Sequence, residues 1–268
     1  MTEPEIAAAA EALWQAEQTG VQTGLLSQAH PGMTMDDAYA VQAALVARKL
    51  AAGRRVIGWK IGLTSRAMQQ QLGIETPDSG VLLEDMAFED GAVIPRGRFI
   101  APRIEAELAF VMKAPLLGPG VQPWDVLAAT QVVVPALEIL DTRIVRVDRA
   151  TGQARTIVDT IADNAANAGI VTGGRAVAPD TDLRWCGAIL SRNGAVEETG
   201  LGAGVLNDPV RAIAWLANRL ALYNQGLEAG QIVLSGSFIR AVECRPGDTI
   251  SADFGPLGTV SVHFDRGL

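Results

Sequence analysis

Apolar and polar residues alternate along residues 102–110, whose sequence is PRIEAELAF. An alternation with a period of two predicts a β-strand with one buried face. Side chains two positions apart on a strand share a face and lie roughly 6.6 Å apart, so Glu105 and Glu107 point the same way. Two carboxylates this close repel each other and are costly to bury without a partner. The pair predicts either an edge strand with its glutamates in water or a site for a divalent cation, which prefers oxygen ligands.

Two further apolar runs carry charged residues. Residues 132–141 (VVVPALEILD) predict a strand that contains Glu138, and a third carboxylate in an apolar strand is more specific for a metal site than the pair alone. Residues 56–63 (VIGWKIGL) predict a short strand that contains Lys60. Because lysine is rarely buried without a partner, Lys60 either extends to the surface from an edge strand or meets a carboxylate in a site that tunes it for proton transfer.

Helical patterns dominate the N-terminal part of the chain. Residues 5–17 are rich in alanine, which favours a helix, and Thr34 with Asp37 predicts the start of a second helix. We interpret residues 1–53 as a helical segment packed on a catalytic domain formed by residues 54–268. The same kinds of pattern predict helices at 65–73, 124–127 and 209–223, and strands at 81–83, 92–95, 99–100, 183–192, 195–197, 231–234, 249–254 and 258–264.

Three loops contain polar residues that suit either a turn or a site. Asp78 lies in the turn-rich residues 75–80, where aspartate commonly forms a turn. Asp163 lies among small residues at 160–169, where it could form a helix cap and turn hydrogen bonds or contribute to a site. Ser237 belongs to a small hydroxyl-bearing turn after residues 231–234, which is well suited to an oxygen-rich ligand.

Composition narrows the class of protein. The chain of 268 residues is 49% hydrophobic and 19% charged, which is typical of a globular protein with a large core. Its net charge of −8, with scattered lysines and arginines, argues against nucleic acid or an anionic membrane as a partner. The two cysteines provide no disulfide framework, and the acidic N-terminus does not resemble a signal peptide. No apolar run reaches the length of a membrane span, so we expect a cytoplasmic enzyme or binding protein.

Six stretches, from about residue 35 to the C-terminus, resemble the hydratase and decarboxylase branch of the fumarylacetoacetate hydrolase superfamily. They are GWKIGLTS at 58–65, PDSG at 77–80, PRIEAELAF at 102–110, PALE at 135–138, DNAAN at 163–167 and LSGSF at 234–238. The resemblance implies a mixed, β-rich α+β fold that forms homo-oligomers. Two positions depart from the family pattern: Ser79 replaces the usual aromatic residue, and Ala241 replaces a proline.

The same resemblance implies specific roles for the polar residues. Glu105, Glu107 and Glu138 would bind Mg²⁺ or Mn²⁺, and Lys60 and Asp78 would form an active-site pair. The remaining candidates would bind substrate, with an arginine for a second carboxylate; they are Asp163, Ser237, Arg103, Arg143 and Arg240.

The implied reaction is that of a hydro-lyase in aromatic catabolism, such as homoprotocatechuate degradation. The substrate would be a 2-oxo or 2-hydroxydienoic acid, and residues 159–169 and 235–240 most resemble hydratases of a seven-carbon dicarboxylate. The dienol would ketonise by gaining a proton at C5, and water would then add at C4. The open alternatives are hydration of a five-carbon substrate, decarboxylation of 4-oxalocrotonate, and a metal-stabilised subunit that supports a partner enzyme of the pathway. Carbon–carbon hydrolysis is disfavoured because neither His30 nor His263 lies in a matching motif.

Overall fold

Two β-sheets and a set of α-helices make up the regular structure of the computed structural model, which describes residues 1–66, 69–70 and 74–267. The α-helices whose bounds lie within the described residues are α1 (Glu3–Thr19), α2 (Leu26–Ala29), α3 (Met35–Ala51), α4 (Pro123–Ala129), α5 (Ile157–Ala162) and α6 (Pro209–Ala221). The first strands are β1 (Val56–Gly62), β2 (Asp78–Leu83), β3 (Ala87–Glu89), β4 (Ala92–Ile94), β5 (Arg103–Met112), β6 (Thr130–Leu140) and β7 (Asn167–Thr172). The others are β8 (Gly187–Arg192), β9 (Ala195–Leu201), β10 (Ile232–Leu234), β11 (Val242–Glu243), β12 (Thr249–Asp253) and β13 (Thr259–Phe264).

The larger sheet holds the predicted glutamate strands at its centre. Among the described residues its strand order is β2-β1-β10-β5-β6-β7-β3, with β11 also paired to β5. The second sheet has the order β4-β13-β12-β8-β9. Both sheets are mixed. In the larger sheet β1 runs parallel to β10 and antiparallel to β2, and in the second sheet β13 runs parallel to β4 and antiparallel to β12. Together with the helices they give the α+β class that the sequence predicts.

The N-terminal helices form where the sequence predicts them. At the start of α3 the Asp37 N–H donates to Thr34 Oγ1 over 3.1 Å, and the Thr34 N–H donates to Asp37 Oδ2 over 2.9 Å. This reciprocal cap satisfies two backbone donors that the first helical turn leaves free. Apolar residues of α1 and α3 then share one buried cluster with Ile144 and Ile161. Among the described residues, no helix has both the length and the apolar character needed to cross a membrane.

Two local predictions are wrong. Residues 99–100 form no strand, because the N–H groups of Ile100 and Ala101 donate to the Asp141 carboxylate, over 2.9 and 2.7 Å, instead of to a neighbouring strand. Asp78 does not lie in a turn: it begins β2, paired with Gly62 of β1. The predicted helix at 65–73 lies largely outside the described residues.

Candidate active site and metal centre

The register of β5 and β6 gathers the three glutamates on one face of the larger sheet. Glu105 pairs directly with Glu138, and Glu107 lies two positions further along β5, paired with Ala136. Residues two apart share a face, so all three carboxylates converge. One oxygen from each lies within 4.8 Å of the others. Glu107 and Glu138 are fully buried, and Glu105 is half-buried.

Burial and mutual repulsion disfavour the charged form of these carboxyls. Burial, followed by the charge of Glu138, raises the pKa of Glu105 to about 8. Burial also raises the pKa of Glu107, with further contributions from the charges of Glu138 and Glu105. The pKa of Glu138 is raised by burial, although the Lys60 ammonium opposes this effect. Such a cluster is stable as carboxylates only if positive charge is brought to it.

The free oxygens of the cluster fit a hard divalent cation. Glu107 Oε2 accepts a hydrogen bond from the Gly236 N–H over 2.8 Å. Glu107 Oε1 and both oxygens of Glu138 are buried and have no hydrogen-bond partner in the described part of the chain. Buried carboxylate oxygens normally have partners, and a set of convergent oxygens is what Mg²⁺ or Mn²⁺ binds. The three residues therefore fit the metal that the sequence implies.

Lys60 lies beside this cluster. It is buried on β1, and its Nζ is 3.3 Å from Glu138 Oε1, within ion-pair distance but without hydrogen-bond geometry. Burial alone would lower the pKa of Lys60, but the nearby carboxylates, Glu138 first and Asp78 second, raise it above its usual value. The geometry rules out the surface-extended lysine and leaves a buried ammonium that contacts carboxylates.

Asp78 and the Lys60 ammonium both lie close to the space that a side chain at Gly62 would occupy. A Cβ at Gly62 would lie 2.2 Å from Asp78 Oδ1 and 3.2 Å from Lys60 Nζ. Burial raises the pKa of Asp78, and the charge of Lys60 opposes that increase. The structure thus brings together the predicted Lys60–Asp78 pair. Gly62 is a positioning residue that the sequence analysis missed, although a glycine within a strand pattern is a recognised sign of close approach.

Amide side chains hold β2 in place. The Asn164 side chain donates to Val81 O over 2.9 Å and accepts from the Val81 N–H over 2.8 Å. From α3, the Gln42 amide donates to Ser79 O and to Ile161 O, over 2.9 and 2.8 Å. Gln42 was not predicted as a functional residue; the only sequence signal is a polar residue on the buried face of a helix.

A cavity of about 570 Å³ contains Glu105 in its wall, together with Arg103, Ser237 and Arg240. Arg103 Nη2 lies 3.6 Å from Glu243 Oε1, and its Nε is buried without a hydrogen-bond partner in the described residues. Arg240 is exposed and forms an ion pair with Glu198. The cavity volume suits a small organic ligand.

The Ser237 hydroxyl is fixed by its own turn. It accepts a hydrogen bond from the Ile239 N–H over 3.2 Å and donates to Ile239 O over 2.9 Å. Its position on the cavity wall agrees with the ligand-binding turn that the sequence predicts.

Arg143 and Asp163 lie elsewhere and bind each other. The Asp163 carboxylate accepts hydrogen bonds from Arg143 N and Nε, and Arg143 Nη2 donates to Asp163 O over 2.7 Å. Both residues are buried, and neither is among the described residues that line the cavity around Glu105. Their geometry fits a role in holding the chain between β6 and β7, whereas Arg103 and Arg240 remain beside the cavity.

Known proteins resemble this chain over almost its full length. It is 53% identical over 256 residues to the 2-oxo-hept-4-ene-1,7-dioate hydratase of Escherichia coli, covering 95% of this chain and 96% of that protein. It is 39% identical over 265 residues to the 4-oxalocrotonate decarboxylase of Pseudomonas sp. (strain CF600), covering 98% of each. No family model matches the sequence.

A solved structure shares the fold. The 4-oxalocrotonate decarboxylase of Pseudomonas putida G7, complexed with magnesium and adipate, superposes with a TM-score of 0.92 at 38% identity, covering 98% of each chain. Sequence identities of 38–53% over almost the full chain are higher than those expected for proteins that share only a fold. The chain therefore belongs to the hydratase and decarboxylase branch of the fumarylacetoacetate hydrolase superfamily.

Proposed function

We propose that this protein is a metal-dependent hydratase that converts 2-oxo-hept-4-ene-1,7-dioate, through its dienol form, to 4-hydroxy-2-oxoheptane-1,7-dioate. The observation that carries the proposal is the Lys60–Asp78 pair beside the three-glutamate cluster. A cluster that only stabilised a subunit would not need a buried lysine and aspartate next to it. The substrate is supported by the relative of 53% identity, which is a hydratase of that compound.

Glu105, Glu107 and Glu138 would hold Mg²⁺ or Mn²⁺. The relative complexed with magnesium supports Mg²⁺. When bound, the cation would polarise the carbonyl of the 2-oxo acid and stabilise the enolate. Glu107 is held in place by the Gly236 N–H, which leaves its second oxygen free for this role.

Lys60 and Asp78 would move the protons. The raised pKa of Lys60 keeps the amine protonated, so we assign it as the acid that delivers a proton to C5 of the dienol. As C5 gains this proton, the 2-hydroxyl group releases its own proton to solvent, from which Lys60 is reprotonated. Asp78 lies beside Lys60 and would then take a proton from water as the hydroxyl adds at C4, and would deliver that proton to C3. General acid–base groups of this kind contribute a factor of about 10²–10⁴ to the rate.

The second carboxylate of the substrate would be recognised at the cavity wall. Arg103 and Arg240 border the cavity that contains Glu105, and Ser237 would contribute its turn. An arginine paired with that carboxylate gains a charge-assisted hydrogen bond and is left unpaired by a shorter monocarboxylate. We therefore expect a preference for the seven-carbon dicarboxylate. Arg143 and Asp163 bind each other away from this wall, so we assign them no contact with the substrate.

One assay tests the proposal against its main alternative. Decarboxylation of 4-oxalocrotonate is the second candidate, because a decarboxylase superposes on 98% of the chain. The magnesium-loaded protein would be given the seven-carbon and five-carbon 2-hydroxydienoates and 4-oxalocrotonate, with diene absorbance and CO₂ release both followed. We expect hydration of the seven-carbon substrate without CO₂. Release of CO₂ from 4-oxalocrotonate as the dominant reaction would replace the hydratase with the decarboxylase.

The setting of the enzyme is part of the proposal. We place it in homoprotocatechuate degradation in the cytoplasm, as a homo-oligomer that could associate with another enzyme of the pathway. Light scattering of the purified protein tests self-association directly, and a monomer across the micromolar range would contradict it.

A further inference from the structure

A second cavity, of about 480 Å³, lies on the side of β1 and β2 that faces away from the Lys60–Asp78 pair. Trp59 of β1 pairs with Val81 of β2. Successive side chains of a strand point to opposite faces, so Trp59 faces away from Lys60. For the same reason Ser79 faces away from Asp78. Trp59, Ser79 and Val81 line the second cavity, which is therefore separate from the active site.

Apolar and aromatic side chains form most of the wall of this second cavity. Helix α3 contributes Val46 together with several alanines, α6 contributes Leu220, and Tyr223 follows α6. Ser79 contributes only a hydroxymethyl group at a position where the family pattern has an aromatic residue, which leaves room behind β2. The volume lies within the range of small-molecule sites, and the aromatic wall suits a flat ring.

Arg219 brings a positive charge to this wall. Its guanidinium carbon lies 5.0 Å from the centre of the Tyr39 ring and 5.1 Å from that of the Tyr223 ring, and its Nη2 donates to the Tyr223 hydroxyl over 2.8 Å. No carboxylate oxygen of the described residues lies within 4.0 Å of this guanidinium. Asp36, at the rim, is exposed and accepts a hydrogen bond from the Tyr223 hydroxyl over 3.5 Å. A half-buried guanidinium that stacks on rings and lacks a carboxylate partner is suited to a carboxylate on a ligand.

The Trp59 indole adds a hydrogen-bond donor without a partner. Its Nε1 is buried and has no acceptor among the described residues. An indole nitrogen can only donate, and buried donors normally have a partner. An acceptor oxygen on a ligand in the cavity would provide one.

We propose that this cavity is a second ligand site, which binds a small aromatic carboxylate. The carboxylate pairs with Arg219, and the ring packs on the wall formed by Trp59 and Tyr39. The site does not depend on which reaction the metal centre catalyses. Because Trp59 and Ser79 are the sequence neighbours of the proton-transfer pair, a ligand here contacts the two strands that hold that pair in place.

Calorimetry with the magnesium-loaded protein tests the site with two probes, 2-naphthoate and its neutral isostere 2-naphthamide. Losing a hydrogen bond between charged groups lowers affinity by about 10- to 150-fold. We expect the wild type to bind 2-naphthoate more tightly than the amide by about that factor, and Arg219→Gln to remove this preference. Arg211→Gln, an exposed position on the same helix that loses the same charge, should match the wild type. Equal affinity of the wild type for acid and amide, or full 2-naphthoate affinity in R219Q, would overturn the proposal.

Two further variants locate the bound probe. Ala43 is exposed on α3 and lines the cavity, so Ala43→Trp should block 2-naphthoate without disturbing the core, whereas Ala8→Trp, at an exposed alanine of α1, should not. Glu107→Gln should keep 2-naphthoate binding, because the metal centre lies on the other face of the sheet. Loss of binding in E107Q but not in A43W would place the probe at the metal centre and overturn the proposal.

The remaining outcomes are equally decisive. If R219Q does not fold, Arg219→Lys replaces it, because lysine keeps the charge but loses the planar fork and should reduce the preference for the acid partially; full preference in R219K would then overturn the proposal. Absence of 2-naphthoate binding to the wild type also overturns it. A lower molar mass of A43W in light scattering would in that case identify a second copy of the chain as the occupant of the cavity.

Discussion

Gly62→Ala tests whether the position of Asp78, rather than its presence alone, supports catalysis. The added Cβ would lie 2.2 Å from Asp78 Oδ1, whereas ordinary van der Waals contacts begin at 3.4 Å. The carboxylate must therefore move by 3.4 − 2.2 = 1.2 Å, or the strand must shift by a similar amount. Gly62 does not have the positive φ that disfavours other residues, so the change acts on the neighbouring side chains and not through backbone strain.

The expected loss in kcat is about 100-fold, because displacing a catalytic group by about 1 Å costs roughly that factor. Diene absorbance gives the rate, and calorimetric titration with Mg²⁺ gives the metal affinity, which should change little since the glutamates lie on other strands. Gly24→Ala is the matched control: Gly24 has ordinary φ and nothing within 4 Å of its added Cβ. It should match the wild type in rate and melting temperature.

Combination with Asp78→Asn sharpens the test. If Gly62→Ala acts only by displacing the carboxylate, the double variant should be about as slow as Asp78→Asn alone, since groups that act as a unit are not additive. A G62A enzyme with wild-type kcat and an unchanged melting temperature would refute the reasoning. So would a double variant whose losses multiply, because Gly62 would then act through something other than Asp78.

Three further changes test other parts of the site and fold. Glu107→Gln should abolish activity by weakening metal binding, while the metal-free variant melts no lower than the metal-free wild type because repulsion is relieved; full metal occupancy with near-normal turnover would contradict this. Lys60→Met should lower kcat by about 10² or more with little change in metal affinity, and normal turnover in a merely less stable variant would remove the proton-transfer role. The pKa of Glu17 is lowered to about 2, because the charges of Lys49 and Arg143 overcome the effect of burial. The ionised Glu17 carboxylate therefore stabilises the fold above pH 4.5, and this stabilisation is lost as pH falls from 4.5 towards 2. Burial also lowers the pKa of Lys49, which offsets part of the gain, so we expect a contribution of about 1–2 kcal/mol to the free energy of unfolding. Glu17→Gln should therefore reduce the fall in melting temperature on acidification.

Local sequence patterns were sufficient to predict many of the helices and strands and the face of a strand on which a side chain lies. The alternation around Glu105 and Glu107 predicted both a strand and a shared face, and β5 confirms both. The cap at Thr34 likewise marked the start of α3. These features depend on residues within a few positions of each other, which is why the sequence carries them directly.

Contacts between distant segments could not be derived in the same way. Nothing near Glu138 indicates that it pairs with Glu105, since the register of two strands depends on the whole sheet. Arg143 was predicted to bind substrate, but a charged residue can also be satisfied by a buried partner, and Asp163 provides one. The strand at residues 99–100 was lost for a similar reason, because a carboxylate distant in sequence captured its N–H groups.

Because Glu105 of β5 lies directly opposite Glu138 of β6, the three-glutamate cluster depends on the exact number of residues in these two strands. Substitutions do not test this dependence. Deleting one residue of β5 between Arg103 and Glu107 would move the side chains on one side of the deletion to the opposite face of the sheet. A carboxylate would then point to the opposite side of the sheet, and an apolar side chain would take its place. Removing two residues would preserve the alternation. Evolution of this site can therefore proceed through replacement of side chains, whereas single-residue insertions and deletions in these two strands should be strongly selected against.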